Sequence, residues 1–237
     1  MEIGRNGIDS VINKVKRELD FHDGDLLHGS KKGLDGNIKP ISKLSCDFGT
    51  AFYVGNSIEQ VITLVSSYND GIIYKFSFES EGLKILDLRS NIDWALLVLS
   101  YRGFLNSEKV CDSFKHNGDF YDVIIGPIAD DRLFDSMSLF LRGALTDIAL
   151  INMLQCANIG TQLAFKTDKA CSRLKITHSY VLTKEDKDII NSYKAIRKKK
   201  IQRITNDVMD TYRGQGNSLN QLIHKKEAEI DAGVFRL

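Results

Sequence analysis

The sequence predicts an α+β fold in which helices flank a sheet with several antiparallel, hairpin-linked strands. Helical and strand-like hydrophobic patterns are interspersed along the 237 residues. Only two prolines occur, and no linker rich in Gly and Ser divides the chain, which favours one principal domain. The chain contains neither G-x-G-x-x-G nor G-x-x-x-x-G-K-[ST], so a Rossmann or P-loop nucleotide site is poorly supported.

The first half of the chain contains six segments whose apolar residues recur at helical or strand spacing. The predicted elements are a helix over residues 10–19, a strand over 25–30, a helix over 57–67 with Ser57 as its N-cap, a strand over 72–78, a second strand over 84–88 and a helix over 92–102. We expect the strands 72–78 and 84–88 to form a hairpin through Glu81 and Gly82.

In the second half of the chain, predicted strands and helices are again interspersed, and the chain ends in a charged helical segment. The predicted elements are a strand over residues 120–125 that ends in a turn at Gly126 and Pro127, one or two helices over 132–153 interrupted at Gly143, strands over 162–165 and 173–181, a helix over 184–212 and a final helix from Ser218. We therefore divide the chain into a domain over residues 1–183, including the N-terminal helix, and a charged helical extension over 184–237.

The composition is that of an ordinary globular protein. Hydrophobic residues make up 43% and charged residues 27% of the chain, and the formal net charge is +1, so no global field favours nucleic acid or an anionic membrane. The four cysteines form no C-x-x-C pair and have no histidine at metal-ligand spacing, which predicts reduced thiols and no metal site. With no secretory signal or long apolar stretch visible, we expect a cytoplasmic location and no membrane contact.

Two short motifs carry the functional signal. The first is Leu-Leu-His-Gly-Ser at residues 26–30, and the second is Asp-Phe-Gly-Thr-Ala-Phe-Tyr at residues 47–53. Together they resemble the NAD-binding segments of the poly-ADP-ribose polymerase and diphtheria-toxin group of ADP-ribosyltransferases, although Ala51 stands where that group usually has a second glycine. The resemblance implies a split antiparallel sheet core with flanking helices.

Two later motifs extend the resemblance to an uncharacterised, toxin-like bacterial family related to those enzymes. They are Tyr-Asp-x-x-x-Gly-Pro-x-Ala-Asp-Asp at residues 121–131 and Gln-x-x-Phe at residues 162–165. Each motif alone is weak, but the four occur in the expected order across residues 25–180. Proteins of that family resemble toxin components encoded beside a small partner, so an inhibitory antitoxin protein is a candidate partner.

The resemblance implies that NAD is bound as a co-substrate by His28, Gly29, Ser30, Phe52 and Tyr53. His28 would orient a ribose hydroxyl, Gly29 would offer its backbone to the nicotinamide amide, Ser30 would add a hydroxyl contact, and Tyr53 would stack on the nicotinamide ring. Each residue also has a structural interpretation: a half-buried histidine, turn glycines and a core aromatic. Their occurrence as a set favours the functional interpretation.

The resemblance also implies the catalytic residues His28, Tyr53 and Gln162. Active polymerases and toxins usually carry a glutamate where this chain has the neutral Gln162, so the rate and the acceptor type are open. As a hypothesis, Asp122, Asp130 or Asp131 supplies the missing carboxylate or activates the acceptor, with Asp130 as the catalytic candidate among them. The alternative is a solvated turn in which Asp130 or Asp131 is a helix N-cap.

The leading functional prediction is an NAD-dependent mono-ADP-ribosyltransferase, a bacterial toxin or effector that modifies a macromolecular acceptor and releases nicotinamide. No metal is expected, since transfer depends on positioning and on electrostatic stabilisation of positive charge on the ribose. One alternative is an NAD glycohydrolase with water as the acceptor. Another is a non-catalytic module that binds NAD, ADP-ribose or a protein.

Overall fold

The computed structural model describes residues 2–36, 38–129, 131–157 and 160–237, without the side chains of residues 2–6 and 131–135. Within these ranges the chain forms an α+β fold of helices around one mixed, open sheet. The helices are α1 (Glu2–Glu18), α2 (Ile58–Val65), α3 (Asp93–Arg102), α4 (Glu108–Gly118), α5 (Asp131–Leu141), α6 (Asp147–Ala157), α7 (Asp168–Cys171), α8 (Lys184–Thr211) and α9 (Leu219–Asp231).

Seven strands in the described ranges form the sheet, in the order β4-β5-β6-β2-β1-β3-β7. They are β1 (Leu26–Ser30), β2 (Phe52–Gly55), β3 (Ile72–Phe78), β4 (Ile85–Asp87), β5 (Val123–Pro127), β6 (Thr161–Phe165) and β7 (Leu174–Val181). Neighbouring strands are antiparallel except β4 and β5, which are parallel. β1 pairs with β3 over its whole length but with β2 only at Leu27 and Gly55, so β1 and β2 part beyond that point.

Local sequence signals account for many of the helix ends. The Ser57 side chain accepts a hydrogen bond from the Gln60 backbone N–H and caps α2, as predicted. Thr183 and Ser218 each form a capping box at the start of α8 and α9. Gly143 has a positive φ of 72°, a conformation that suits glycine, and it lies between α5 and α6 as expected.

The predicted hairpin between residues 72–78 and 84–88 is wrong. Both edges of β3 are occupied, one by β1 and the other by β7, so no edge is left for β4. Instead β4 lies near the opposite side of the sheet and pairs with β5 after a crossover through α3 and α4. The predicted elements did not include α4, and without that helix the crossover could not be anticipated.

Smaller differences concern element boundaries. The N-terminal helix begins at Glu2 rather than near residue 10. The predicted turn at Gly126 and Pro127 is the end of β5, where these residues pair with Gln162 and Thr161 of β6. Gly126 is required there, because a Cβ would lie 2.5 Å from Trp94 Cδ1 and 2.9 Å from Phe48 Cζ.

The C-terminal helices share the buried cores of the rest of the chain. α8 packs against α1, α2, α5 and α6, while α9 packs against α4. Leu219, Leu222 and Phe235 join the apolar cluster that surrounds Trp94. Among the described residues, no helix is both long and apolar enough to cross a bilayer.

Candidate functional site

A cleft of about 150 Å³ lies where β1 and β2 part. Residues of α2 line it, together with Ile128, which follows β5, and Gln162 of β6. Its lining residues are Leu27, His28, Gly29, Tyr53, Val54, Gly55, Gln60, Val61, Leu64, Ile128 and Gln162. The fold thus brings together four of the predicted site residues, namely His28, Gly29, Tyr53 and Gln162, from three strands.

His28 lines the cleft and uses one of its two ring nitrogens in a hydrogen bond within the chain. Its Nδ1 lies 2.7 Å from the carbonyl oxygen of Tyr53, and since a carbonyl only accepts, Nδ1 carries the proton and donates. Burial lowers the pKa of His28 below its ordinary value and outweighs the opposing effect of this hydrogen bond. The ring is therefore neutral near pH 7, and its Nε2 has no hydrogen-bond partner within the described part of the chain.

Phe52 and Ser30 support His28 and do not line the cleft. The Phe52 ring stacks on the His28 imidazole with centroids 4.5 Å apart and an angle of 26° between the planes. The Ser30 hydroxyl is buried and donates to the carbonyl of Gly33 at 2.7 Å. The structure therefore places both predicted NAD contacts outside the cleft lining, where they fix β1 and its histidine.

Gly29 faces α2 at close range. A Cβ on Gly29 would lie 2.8 Å from Val65 Cγ2, 3.0 Å from Val61 Cγ2 and 3.3 Å from Leu64 Cδ2. The helix can approach β1 this closely only because position 29 lacks a side chain. Packing of α2 is thus sufficient to explain this glycine.

Tyr53 ties β2 to the preceding turn. Its hydroxyl accepts from the Phe48 backbone N–H at 2.9 Å and donates to the Gly49 carbonyl at 2.8 Å. Burial raises the pKa of Tyr53 above its ordinary value, so the phenol stays protonated. The residue lines the cleft while its hydroxyl holds the turn and its main-chain carbonyl holds His28.

Gln162 also lines the cleft, and its amide nitrogen bonds to two groups outside the cleft lining. Nε2 donates to Asp47 Oδ2 at 2.6 Å and to the Pro127 carbonyl at 3.1 Å. Asp47 is buried and forms an ion pair with Arg102, whose Nε lies 2.9 Å from Asp47 Oδ1. Neither Asp47 nor Arg102 was predicted as a site residue from the sequence. The available signal was the place of Asp47 as the first residue of the motif at residues 47–53, although the motif does not indicate what its carboxylate contacts.

Three aspartates were predicted as candidates for the missing carboxylate, and not all of them lie within the described residues. Asp130 lies outside the described residues, and so does the side chain of Asp131, the first residue of α5. Asp122 lies before β5, at the end away from Gly126, the partner of Gln162. Its carboxylate accepts from the Lys84 backbone N–H and from the Thr167 hydroxyl. Asp122 is four residues, about 13 Å along the chain, from Gly126.

Within the described ranges, no group of three or more His, Cys, Asp or Glu side chains is arranged to hold a metal ion. Comparison with protein families finds a match to the family described as "Protein of unknown function (DUF3990)", over residues 25–176. This span is more than half of the chain and contains all four sequence motifs. No curated protein and no solved structure matches the sequence.

Proposed function

We propose that this chain, which belongs to the DUF3990 family, transfers ADP-ribose from NAD to a macromolecular acceptor and releases nicotinamide. One observation carries the proposal. His28, Gly29, Tyr53 and Gln162 come from segments far apart in the sequence, were selected by resemblance to ADP-ribosyltransferases, and line a single cleft. A chance occurrence of short motifs gives no reason for their residues to meet.

The cleft suits the nicotinamide end of NAD. Its volume of about 150 Å³ accommodates one ring rather than a whole dinucleotide, so the adenosine part would extend outside it. The Tyr53 ring offers a flat aromatic face to the cationic pyridinium. His28 Nε2 offers an acceptor for a ribose hydroxyl, held in place by the Nδ1 bond and by Phe52.

In the proposed reaction the bond between the ribose C1′ and the nicotinamide nitrogen breaks. The bonding electron pair leaves with nicotinamide, which becomes neutral, and positive charge develops on the ribose. A nucleophile on the acceptor then bonds to C1′ and loses its proton. Gln162 Oε1 would accept a hydrogen bond from a ribose hydroxyl and place partial negative charge near the developing positive charge.

The neutral amide of Gln162 also favours a second candidate, a module that binds NAD or ADP-ribose without turnover. In this candidate the cleft retains the ligand contacts but lacks the full negative charge of a glutamate. Nicotinamide release separates the two candidates, because transfer and hydrolysis both produce it and simple binding does not. Covalent label on a macromolecule then separates a transferase from a glycohydrolase.

The experiment incubates the purified chain with labelled NAD and cell lysate and follows label into protein, nucleic acid and free nicotinamide. His28→Ala is compared with His178→Ala, a matched change at an exposed histidine on the edge strand β7. We expect the first variant to lose activity and the second to keep it. Tyr53→Phe retains the ring and removes the hydroxyl, so it should retain more activity than Tyr53→Ala. If the wild-type chain releases no nicotinamide, the proposed transfer is wrong, and NAD binding without release supports the second candidate.

A further inference from the structure

The orientation of the Gln162 amide is fixed by its neighbours. Both groups within reach of its nitrogen, the Asp47 carboxylate and the Pro127 carbonyl, can only accept hydrogen bonds. Neither Asp47 nor Pro127 lines the cleft, so both N–H groups are used outside its lining, and Oε1 is the polar atom that Gln162 has left for a ligand. Oε1 has no hydrogen-bond partner in the described part of the chain.

Asp47 is itself held on its other side. Arg102 donates to Asp47 Oδ1 through Nε and Nη2, and Nη2 also donates to the Ala129 carbonyl at 2.7 Å. Each carboxylate oxygen thus has a different partner: Oδ1 contacts the guanidinium and Oδ2 contacts the glutamine. The segment from Pro127 to Ala129 is fixed at both ends, because Trp94 Nε1 donates to the Pro127 carbonyl at 3.0 Å.

We propose that Asp47 is the positioning residue for Gln162, turning its carbonyl oxygen toward the cleft and supplying negative charge behind the amide. The inference rests on the proposed function. A carboxylate that accepts a 2.6 Å hydrogen bond from Nε2 draws positive charge toward the nitrogen and makes Oε1 a stronger acceptor. Asp47 is only 7% exposed, so water screens this effect weakly.

The arrangement explains how a glutamine serves where related enzymes usually have a glutamate. A glutamate at position 162 would place a carboxylate oxygen where Nε2 now lies, 2.6 Å from Asp47 Oδ2 and 3.1 Å from the Pro127 oxygen. Two carboxylates in that contact repel each other, and Arg102 already pairs with the Asp47 carboxylate. Gln162→Glu should therefore lower activity in this chain, although it restores the charge found elsewhere.

The reciprocal change, Asp47→Asn, replaces the acceptor that faces the Gln162 amide nitrogen with a hydrogen-bond donor. In Asp47→Asn, the new amide keeps its oxygen toward Arg102, and its N–H group then faces the Gln162 N–H group. The Gln162 amide must rotate and presents a donor to the cleft instead of an acceptor. In the double variant Asp47→Asn/Gln162→Glu, the amide introduced at position 47 donates to the carboxylate introduced at position 162, whose second oxygen faces the cleft. The Pro127 carbonyl loses its hydrogen bond from position 162, because a carboxylate has no N–H group to donate. We therefore expect kcat to recover only in part.

The experiment measures kcat and KM for nicotinamide release, with thermal unfolding, for the wild type, both single variants and the double variant. Asp147→Asn is the matched control, since Asp147 is another buried carboxylate and lies at the start of α6, outside the cleft lining. We expect Asp47→Asn and Gln162→Glu each to lower kcat about 10- to 100-fold, by analogy with hydrogen-bond partners behind metal ligands. KM should change little in both single variants. The double variant should have a higher kcat than either single variant, and Asp147→Asn should retain the wild-type kcat.

Wild-type kcat in Asp47→Asn would overturn the inference while leaving the proposed function intact. A Gln162→Glu variant that is faster than the wild type would do the same. A double variant whose kcat is no higher than that of the single variants would show that Asp47 acts only through its structural ion pair with Arg102. Failure of the proposed function gives a different result, because the wild-type chain itself would then release no nicotinamide.

Discussion

Gly29→Ala tests whether the glycine of the His-Gly-Ser motif is required by the fold or by a ligand. The added Cβ would lie 2.8 Å from Val65 Cγ2 and 3.0 Å from Val61 Cγ2. Carbon atoms pack best at about 3.5–4.0 Å, so α2 must move away from β1 by roughly 0.5–1 Å. Val61 also lines the cleft, and the same movement alters the cleft wall.

The expected cost follows from two opposing effects. Overpacking a well-packed core costs about 1–3 kcal/mol. Replacing a strand glycine with alanine returns about 0.5–1 kcal/mol through the lower entropy of the unfolded chain. The difference spans roughly 0–2.5 kcal/mol, and its midpoint of about 1.3 kcal/mol should lower Tm by about 3–5 °C in a chain of this size.

Thermal and urea unfolding of Gly29→Ala, Val65→Ala and the double variant form a thermodynamic cycle. Val65 does not line the cleft, and its truncation makes room for the new methyl group. The double variant should therefore be more stable than the sum of the single changes predicts, by about 0.5–3 kcal/mol. Gly7→Ala is the matched control, because its Cβ would meet Ile189 at an ordinary 3.4 Å. Wild-type stability in Gly29→Ala, together with loss of NAD binding, would refute the packing explanation.

Three further predictions concern titration and thiol reactivity. Burial lowers the folded-state pKa of His28 below 6.5, so the unfolded chain takes up this proton first as the pH falls. Relative to His28→Gln, the wild type should lose stability below pH 6.5 by at most about 1.4 kcal/mol per pH unit, and urea unfolding at pH 5–8 checks this. Burial raises the pKa of Asp186, but hydrogen bonds from Lys14 and the helix cap outweigh it and lower the pKa below 3.8. Asp186→Asn should cost about 1–3 kcal/mol at pH 7, and its difference from the wild type should vanish as the pH falls through the folded-state pKa; an unchanged difference in acid would contradict this. Burial raises the pKa of the Cys171 thiol to about 12, so alkylation of the folded chain at pH 8 should modify the exposed Cys156 and spare Cys171 until denaturant is added.

The elements that the sequence predicted well are those determined by nearby residues. The strand over residues 72–78 has the predicted bounds, the predicted N-cap Ser57 acts on a backbone group three residues away, and the final helix begins directly after Ser218. The pairing of β4 depends instead on which sheet edges remain open after distant strands have paired. That information is spread over β1, β7 and β5, so a local hairpin signal gave the wrong partner.

The candidate site divides in the same way. Motif resemblance selected His28, Tyr53 and Gln162, which line the cleft. Asp47 begins the second motif, but the resemblance assigned it no role and did not include Arg102, because their contacts join residues that are far apart in the sequence. A carboxylate beside an apolar segment predicts that the buried charge needs an ion-pair or hydrogen-bond partner. Only the fold shows that the partners of Asp47 are an arginine on α3 and a glutamine on β6.

The motif residues therefore do not carry equal weight for function. Packing against α2 explains Gly29, the bond to Gly33 explains Ser30, and stacking within the core explains Phe52. A protein that kept this fold without binding NAD would have reason to keep all three. His28 and Gln162 differ, since each lines the cleft, uses its donors within the protein and leaves one acceptor atom, Nε2 or Oε1, without a hydrogen-bond partner among the described residues. Folding alone requires neither acceptor, so substitutions that remove them while retaining the internal hydrogen bonds are the most direct test of function.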